Sequence, residues 1–354
     1  MLRLPSKQIA LLADGPGRVV VSTSTTIPKI DDDEVLIQTK AVALNPVDAK
    51  SVEGFNYPGT VVGFDFAGVV VAVGAQATDR FVSGDRLCGS THGMNPLDPE
   101  TGAFAEYVKT VADTTIKIPE WMSFEEAATM ATGVGAVGLV LKSLGLAQFF
   151  LENPRPKPLV VLVYGGSSAT GTLAIQMLKI CGLRIITTCS PVNFDLVRSR
   201  GAEEVFDYHS TECIQDIRQY TRNSLSYVVD CISTTDSMTL CYAAMGRLGG
   251  RYAALEPHSK RVMKNRPTVK ADWIFQPSLF GKKIAWEEPY AREEDPELRQ
   301  FGREIYLRAQ DLVQDGRLKP HPAAVKEGGI PAVVEGLEII KTGALSGQKL
   351  VYRI

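Results

Sequence analysis

The run Gly165-Gly166-Ser167-Ser168-Ala169-Thr170-Gly171 follows a continuous apolar stretch, Leu159 to Tyr164 (LVVLVY), and precedes a helical pattern. A chain that turns sharply from strand to helix, while its backbone N–H groups close on a pyrophosphate, needs small residues at that turn. Gly165 and Gly171 have the spacing of the outer glycines of a dinucleotide-binding turn, and Ser168 occupies the place of the middle one. An ordinary strand–helix turn has a similar composition, so the flanking elements must decide. Further on, Cys189-Ser190-Pro191-Val192-Asn193 closes the next apolar run without an acid. A site for NAD usually puts Asp or Glu there to hold the ribose 2′-hydroxyl. Ser190 and Asn193 can donate to a 2′-phosphate instead, with Arg198 one helical turn beyond, so NADPH is the expected cofactor. Asn193 equally suits a helix N-cap, and Arg198 a solvated helix charge. The histidines, His92, His209, His258 and His321, do not cluster in sequence with acids or cysteines and read as loop or surface residues. Within Asp207-Tyr208-His209, Tyr208 is placed to stack near an adenosine.

The elements that must hold these residues alternate. After the glycine turn, Leu173, Ala174, Met177, Leu178 and Cys181 share one helical face, and Gly182 closes the helix. Arg184 to Cys189 is the next strand, Asn193 to Gly201 a helix, and Glu204 to Phe206 extended chain. Ser226 to Ile232 and Gly250 to Leu255 complete a series of strands alternating with helices, which predicts an α/β fold with a doubly wound parallel sheet. The first third is β-rich, with runs at Arg18 to Ser22, Glu34 to Ala43 and Ala67 to Val73. A long amphipathic helix is expected over Leu298 to Asp315, and the tail ends in a strand-like KLVYRI.

A chain of 354 residues suggests two domains, and its 45% apolar and 22% charged residues are those of a soluble globular protein. A formal charge of −2 gives no general attraction for nucleic acid or anionic lipid, and neither is expected as a partner. Met1 to Leu12 lacks the apolar core of a secretory signal, and Ala127 to Leu141 falls short of a membrane span. Six scattered cysteines fit free thiols in a reducing compartment, so a cytoplasmic location is expected.

Ala43-Leu44-Asn45-Pro46-Val47-Asp48, Gly63 to Val70 (GFDFAGVV), Val82 to Leu87 (VSGDRL) and Gly102 to Tyr107 (GAFAEY) resemble the N-terminal domain of medium-chain dehydrogenases/reductases. Val161 to Gly166, Thr188 to Leu196, Ser199 to Tyr208, Asp272-Trp273 and Leu345 to Leu350 resemble the fungal trans-acting enoyl reductases. The resemblance implies a GroES-like β-rich catalytic domain over residues 1–125 and 286–354, and a Rossmann domain over 126–285. It also implies an enzyme that reduces enoyl thioesters for an iterative polyketide synthase, or a polyketide–peptide hybrid, whose own enoyl reductase domain is inactive. Zinc members of the family carry Cys near position 45 and His-Glu after Gly63. Here those places hold Asn45 and Phe64-Asp65, and the cysteine-rich structural lobe is missing. Asn and Phe are not zinc ligands, so no metal is expected.

The expected mechanism is hydride delivery to the β-carbon of the enoyl thioester, followed by protonation of the α-carbon. Lys50 matches a lysine of the relatives that could orient the nicotinamide ribose or supply the proton; a surface lysine is the alternative, and Tyr57 is a rival acid. Val47, Asp48, Ala49, Ala254, Leu255, Leu345 and Ser346 carry over from the family as cofactor contacts, beside Ser190 to Asn193 and Tyr208. Thr132-Gly133-Val134-Gly135-Ala136-Val137-Gly138-Leu139 and Pro277-Ser278-Leu279-Phe280-Gly281 carry over as the substrate pocket, expected between the domains. Small residues of the first segment equally suit tight helix packing. Gln276 stands where a relative carries glycine. A free-standing quinone or enone reductase and a non-catalytic NADPH-binding subunit are the alternatives. The edge strand of the Rossmann sheet is expected near Leu279 to Ala285, where Lys282-Lys283 would discourage pairing and favour a monomer.

Overall fold

The computed structural model describes residues 4–354, so residues 1–3 of the expected first domain lie outside the described residues. Its strands run, in chain order, β1 Lys7–Ala13, β2 Val19–Thr26, β3 Glu34–Ala43, β4 Asp65–Val73, β5 Arg86–Ser90, β6 Tyr107–Val111 and β7 Thr115–Lys117. There follow β8 Val160–Tyr164, β9 Arg184–Thr188, β10 Glu204–Phe206, β11 Tyr227–Asp230, β12 Gly250–Ala254, β13 Val269–Trp273, β14 Ala323–Lys326 and β15 Lys349–Arg353. By its packing the chain divides into two compact units, one comprising the residues up to Gly135 and from Pro277, the other Ala136–Gln276.

The first unit is the β-rich one. A sheet in the order β14-β15-β3-β4-β5-β7, with β6 also paired to β3, is antiparallel except at β14–β15. β1 and β2 form a separate hairpin. Strand β3, EVLIQTKAVA, pairs with β4, β6 and β15, and eight of its ten positions are buried, Glu34 and Thr39 among them.

The second unit is a six-stranded, wholly parallel sheet in the order β10-β9-β8-β11-β12-β13. The order reverses between β8 and β11, and in doubly wound sheets ligands bind where the order reverses, at the carboxyl ends of the strands. Under one face lies a core that includes Leu162, Ile186, Val228, Met238, Tyr242 and Tyr252. Asp230, at the end of β11, is fully buried, and Tyr252 Oη donates to its Oδ2 at 2.7 Å.

Two expectations on layout differ from the structure. The unit boundaries fall at Gly135/Ala136 and Gln276/Pro277, not at 125/126 and 285/286. The first lies inside the helix Ala131–Leu144, whose opening turn is held by first-unit groups: Tyr306 Oη donates to the Ala131 carbonyl and Asp65 Oδ1 accepts from the Thr132 N–H, each at 2.8 Å. A boundary within one helix leaves no change of rhythm in the sequence. Second, the edge strand of the parallel sheet is β13, Val269–Trp273, rather than Leu279 to Ala285. Pro277 and the left-handed Gly281 (φ 68°) shape Gln276–Phe280 into a 3₁₀ turn instead. Lys282 and Lys283 therefore do not guard that edge. They sit in the first unit, where Lys282 pairs with Glu34 at 2.6 Å and Lys283 with Glu293 at 3.0 Å.

One helical run, Phe124–Leu144, is long and apolar enough to cross a membrane, but 83% of its apolar window is buried inside the fold. That burial makes it a core helix.

Tyr252→Phe removes the buried hydrogen bond to Asp230 while keeping the ring. Denaturant unfolding should show a loss of about 1–3 kcal/mol, as for a bond to a buried carboxylate; an unchanged midpoint would mean that the bond contributes nothing to holding the sheet.

Candidate cofactor and catalytic site

The glycine turn leads from β8 into the helix Ala169–Ile180, as the sequence requires. Gly165 N donates to Thr188 Oγ1 at 3.2 Å and Gly166 N to the Thr188 carbonyl at 3.0 Å, so the turn is tied to the end of β9. A Cβ on Gly166 would overlap Thr187 Oγ1, and one on Gly171 would overlap the Gly165 carbonyl, so neither position admits a larger residue. Ser168, the departure from the glycine pattern, is the N-cap. Its Oγ accepts from Gly171 N at 3.0 Å and donates to the Gly165 carbonyl at 2.8 Å. Ser167, Ala169 and Thr170 complete the small-residue turn at a helix N-terminus, where the positive end of the dipole favours phosphate. The cradle fits a dinucleotide.

At the end of β9, Ser190 Oγ and Tyr208 Oη lie 3.3 Å apart. The Tyr208 ring lies against His209 at 4.1 Å and near Tyr164 at 6.1 Å, leaving it 37% exposed and available as a stacking face. Pro191–Asn193 is a 3₁₀ turn; Val192 is exposed, and Asn193 is buried at the N-cap position of the helix Phe194–Arg200 without a side-chain cap bond. Arg198 is exposed, its guanidinium 5.4 Å from the Phe194 ring centre. The structure thus brings Ser190 and Tyr208 together, while Arg198 rests on its own helix.

Sequence reasoning missed the support beneath this edge. Asp230 Oδ1 accepts from Ile232 N and Ser233 N at 3.0 and 2.8 Å, holding Ser233 in a left-handed conformation (φ 60°). Ser233 Oγ then accepts from Leu255 N at 2.8 Å, which fixes Ala254-Leu255 at the end of β12. A lone Asp ending an apolar strand was the only available signal.

In the first unit, Pro46–Gly54 is a helix with Asn45 at its N-cap, Pro46 in its first turn and Asp48 closing a capping box. Val47 is half-buried, Ala49 buried, and Lys50 exposed on this helix. Asn45 N donates to Asp48 Oδ2 at 2.5 Å, and Asn45 Nδ2 to Asp65 Oδ2 at 2.8 Å. Lys349 Nζ donates to the same Asp65 oxygen at 2.5 Å. Asp48 and Asp65 are fully buried and Lys349 is 5% exposed. Burial pushes the Asp48 carboxyl up to about 8, with Asp65 adding to the rise and the bond from Asn45 N opposing it.

The positions that carry ligands in zinc relatives are thus Asn45, the ring of Phe64, and an Asp65 already paired with an ammonium. Zinc does not fit this set. Among the described residues all six cysteines are free, and burial pushes the Cys189 and Cys213 thiols up to about 11, so neither is a ready thiolate.

His92 and His321 lie in loops, as expected, but are buried there rather than at the surface. The His92 ring packs 5.1 Å from Trp286 and 6.3 Å from Phe64, and burial lowers its pKa to about 3, so it is neutral. Polar residues placed by long-range aromatic packing leave no local pattern. Tyr57 donates to the Ala285 carbonyl at 3.3 Å, and burial with Glu287 nearby holds its phenol above the ordinary range.

Of the segment expected to line a substrate pocket, Thr132 to Gly135 belong to the first unit and Ala136 to Leu139 to the second. All but the half-buried Thr132 are buried, so these small residues serve helix packing at least. Pro277, Leu279, Phe280 and Gly281 are buried in the first unit and Ser278 is half-buried. Leu345 is half-buried and Ser346 exposed in the turn before β15.

Comparison with known proteins accords with this layout. Residues 31–120 match the alcohol dehydrogenase GroES-like domain and residues 169–291 the zinc-binding dehydrogenase family. A trans-enoyl reductase of Petromyces alliaceus is 49% identical over 349 residues, covering 99% of this chain and 98% of that protein. A trans-enoyl reductase of Fusarium sp. (strain FN080326) is 49% identical over 352 residues, covering 98% and 99%. The chain belongs to the medium-chain dehydrogenase/reductase family, among the fungal trans-enoyl reductases. As a member of that family with a Rossmann-type unit, it binds a nicotinamide cofactor. The solved CurK enoyl reductase shares the fold, with a TM-score of 0.76 at 17% identity over 98% of this chain and 99% of that one. The quinone oxidoreductase of Coxiella burnetii shares it too, at 0.70 and 22% identity over 98% and 99%.

The raised Asp48 carboxyl has a consequence for stability. Unfolded, it titrates near 3.8; folded, near 8, so between those values the folded protein holds the extra proton. Its contribution is full below the lower value and is lost as pH rises through the upper one. Melting measured from about pH 5.5 to 8.5 should show wild type losing a few degrees more than Asp48→Asn; parallel curves would mean that Asp48 is ionised throughout.

Proposed function

We propose that this chain is an NADPH-dependent trans-acting enoyl reductase. It reduces α,β-unsaturated thioesters carried by an iterative polyketide synthase, or a polyketide–peptide hybrid, whose own enoyl reductase domain is inactive. The observation that carries the reading is 49% identity along nearly the whole length of proteins named trans-enoyl reductases. The acid-free end of β9, with Ser190 beside Tyr208, favours a 2′-phosphate over a free ribose hydroxyl.

A nicotinamide cofactor, when bound, supplies the hydride that reduction of a C=C bond requires. The chain's own work is positional and electrostatic. The glycine turn and the N-terminus of the helix Ala169–Ile180 hold the pyrophosphate. Ser190 and Arg198 offer donors to the 2′-phosphate, Tyr208 a stacking face, and Ala254-Leu255 and Leu345-Ser346 flank the dinucleotide. On the capped helix Pro46–Gly54, Lys50 orients the nicotinamide ribose or returns the proton. No Lewis acid takes part, because the ligand positions hold Asn45, Phe64 and a paired Asp65. In the first unit, Thr132 to Gly135 and Pro277 to Gly281 line the acyl pocket. The free cysteines suit a cytoplasmic enzyme.

The test is NADPH consumption by purified protein with crotonyl-pantetheine, with NADH and a simple quinone as controls, and with Lys50→Ala beside wild type. Thioester turnover that prefers NADPH by about tenfold or more, with a drop of about 10²-fold in kcat in the variant, is expected. Turnover of the quinone alone would make the chain a general quinone reductase, and tight NADPH binding without any turnover would make it a non-catalytic subunit.

A further inference from the structure

The turn Met245–Gly250, which leads into β12, presents Arg247 and Leu248 to solvent, Leu248 at 96% exposure. It is firmly held. The Arg266 guanidinium donates to the carbonyls of Tyr242, Met245 (3.1 Å) and Gly246 (2.6 Å). Gly246 N donates to the Leu225 carbonyl at 2.8 Å and Gly249 N to the Gly246 carbonyl at 3.0 Å. Gly249 is left-handed (φ 76°), and a Cβ there would overlap the Thr268 carbonyl. A leucine held out in water on a fixed turn gains nothing within this fold from its apolar surface.

Its surroundings are basic. Arg251 and Lys270 are register partners on β12 and β13, both exposed, and Lys264 is exposed on the helix Lys260–Asn265. Between Met245 and Trp273 there are seven Lys and Arg against two acids, Glu256 and Asp272, a net +5 in a chain whose total is −2. The remainder therefore carries −7, since −7 + 5 = −2. Among the described residues, Arg247, Arg251, Lys264 and Lys270 have no carboxylate partner, although Arg251 donates to the Ser143 carbonyl at 3.2 Å. An apolar knob next to Arg247, with Arg251 and Lys270 at the adjoining starts of β12 and β13, has the anatomy of a protein-docking face: an anchor that desolvates, and a charged rim that steers.

The location fits a lasting contact. The turn and the starts of β12 and β13 lie at the amino ends of the parallel strands, whereas the glycine turn lies at the carboxyl end of β8 in the same sheet. A partner seated on this face leaves the cofactor end open. A second copy meeting it face to face would set cation against cation.

We infer that this face docks an acidic surface of the polyketide synthase, with Leu248 as the anchor; the inference rests on the reading that the chain works on such a synthase. The test is binding of the full chain to the full-length synthase it serves, by interferometry over a salt series, for wild type, the double variant Arg247→Glu/Lys270→Glu, and Leu248→Asp. Expected is a Kd raised by about tenfold or more in each variant, a flatter salt dependence in the charge-reversed one, and unchanged kcat/KM on free crotonyl-pantetheine. Equal affinities and salt slopes would overturn the docking face. So would tighter binding of wild type to phosphatidylserine vesicles or duplex DNA than to the synthase. Weakened synthase binding in the variants, with free crotonyl-pantetheine unreduced by wild type, would uphold the face while removing the enoyl reductase reading.

Discussion

Asp65 is fully buried and accepts from three donors: Lys349 Nζ, Asn45 Nδ2 and the Thr132 N–H. Each comes from a different part of the first unit, so a single carboxylate fixes the start of β4, the N-cap of the helix Pro46–Gly54, β15 and the opening turn of the helix Ala131–Leu144. A buried ion pair is not in itself a source of stability, because both partners lose hydration; removing one partner is what is expensive, since it strands the other. The set therefore acts chiefly to specify one arrangement. Asn45 and Asp65 also stand at sequence positions where zinc relatives carry ligands, and here they bond to each other instead. Lys50 rides on the helix so fixed, and Asp48, in the same cluster, is held neutral beside the ion pair.

The second unit solves a different problem. A phosphate can be approached by backbone only where side chains are absent, and the overlaps a Cβ would make at Gly166 and Gly171 show how closely β8, β9 and the following helix meet there. Asp230 does comparable work at the other side of the sheet's reversal point, holding a left-handed Ser233 so that the end of β12 is fixed. Strain of this kind persists only where surrounding bonds over-determine it, and here Asp230 and Leu255 supply those bonds.

Much of this was legible in the sequence where local pattern decides the outcome. β3 and β10 run over the residues expected of them, and Gly201 ends its helix in the left-handed form. The glycine turn sits where its spacing put it. What the sequence concealed is long-range or weakly patterned. Lys349 and Asp65 are 284 residues apart, and nothing near either one announces the pairing. His92 is buried by aromatic rings that come from distant segments. The edge strand β13, VKADW, is short, with charges alternating to solvent, and reads as loop. Ser168, which takes the place of the middle glycine, proves to be the helix cap.

Asn45 and Phe64 offer no ligand where zinc relatives carry them, and Asp65 is paired with Lys349, so we propose that reduction proceeds without a metal. The direct measurement is elemental analysis of the purified protein paired with its turnover of crotonyl-pantetheine before and after exhaustive chelation. Far less than one zinc per chain and undiminished turnover are expected. Turnover that falls with chelation and returns in proportion to one added zinc would contradict metal-free reduction.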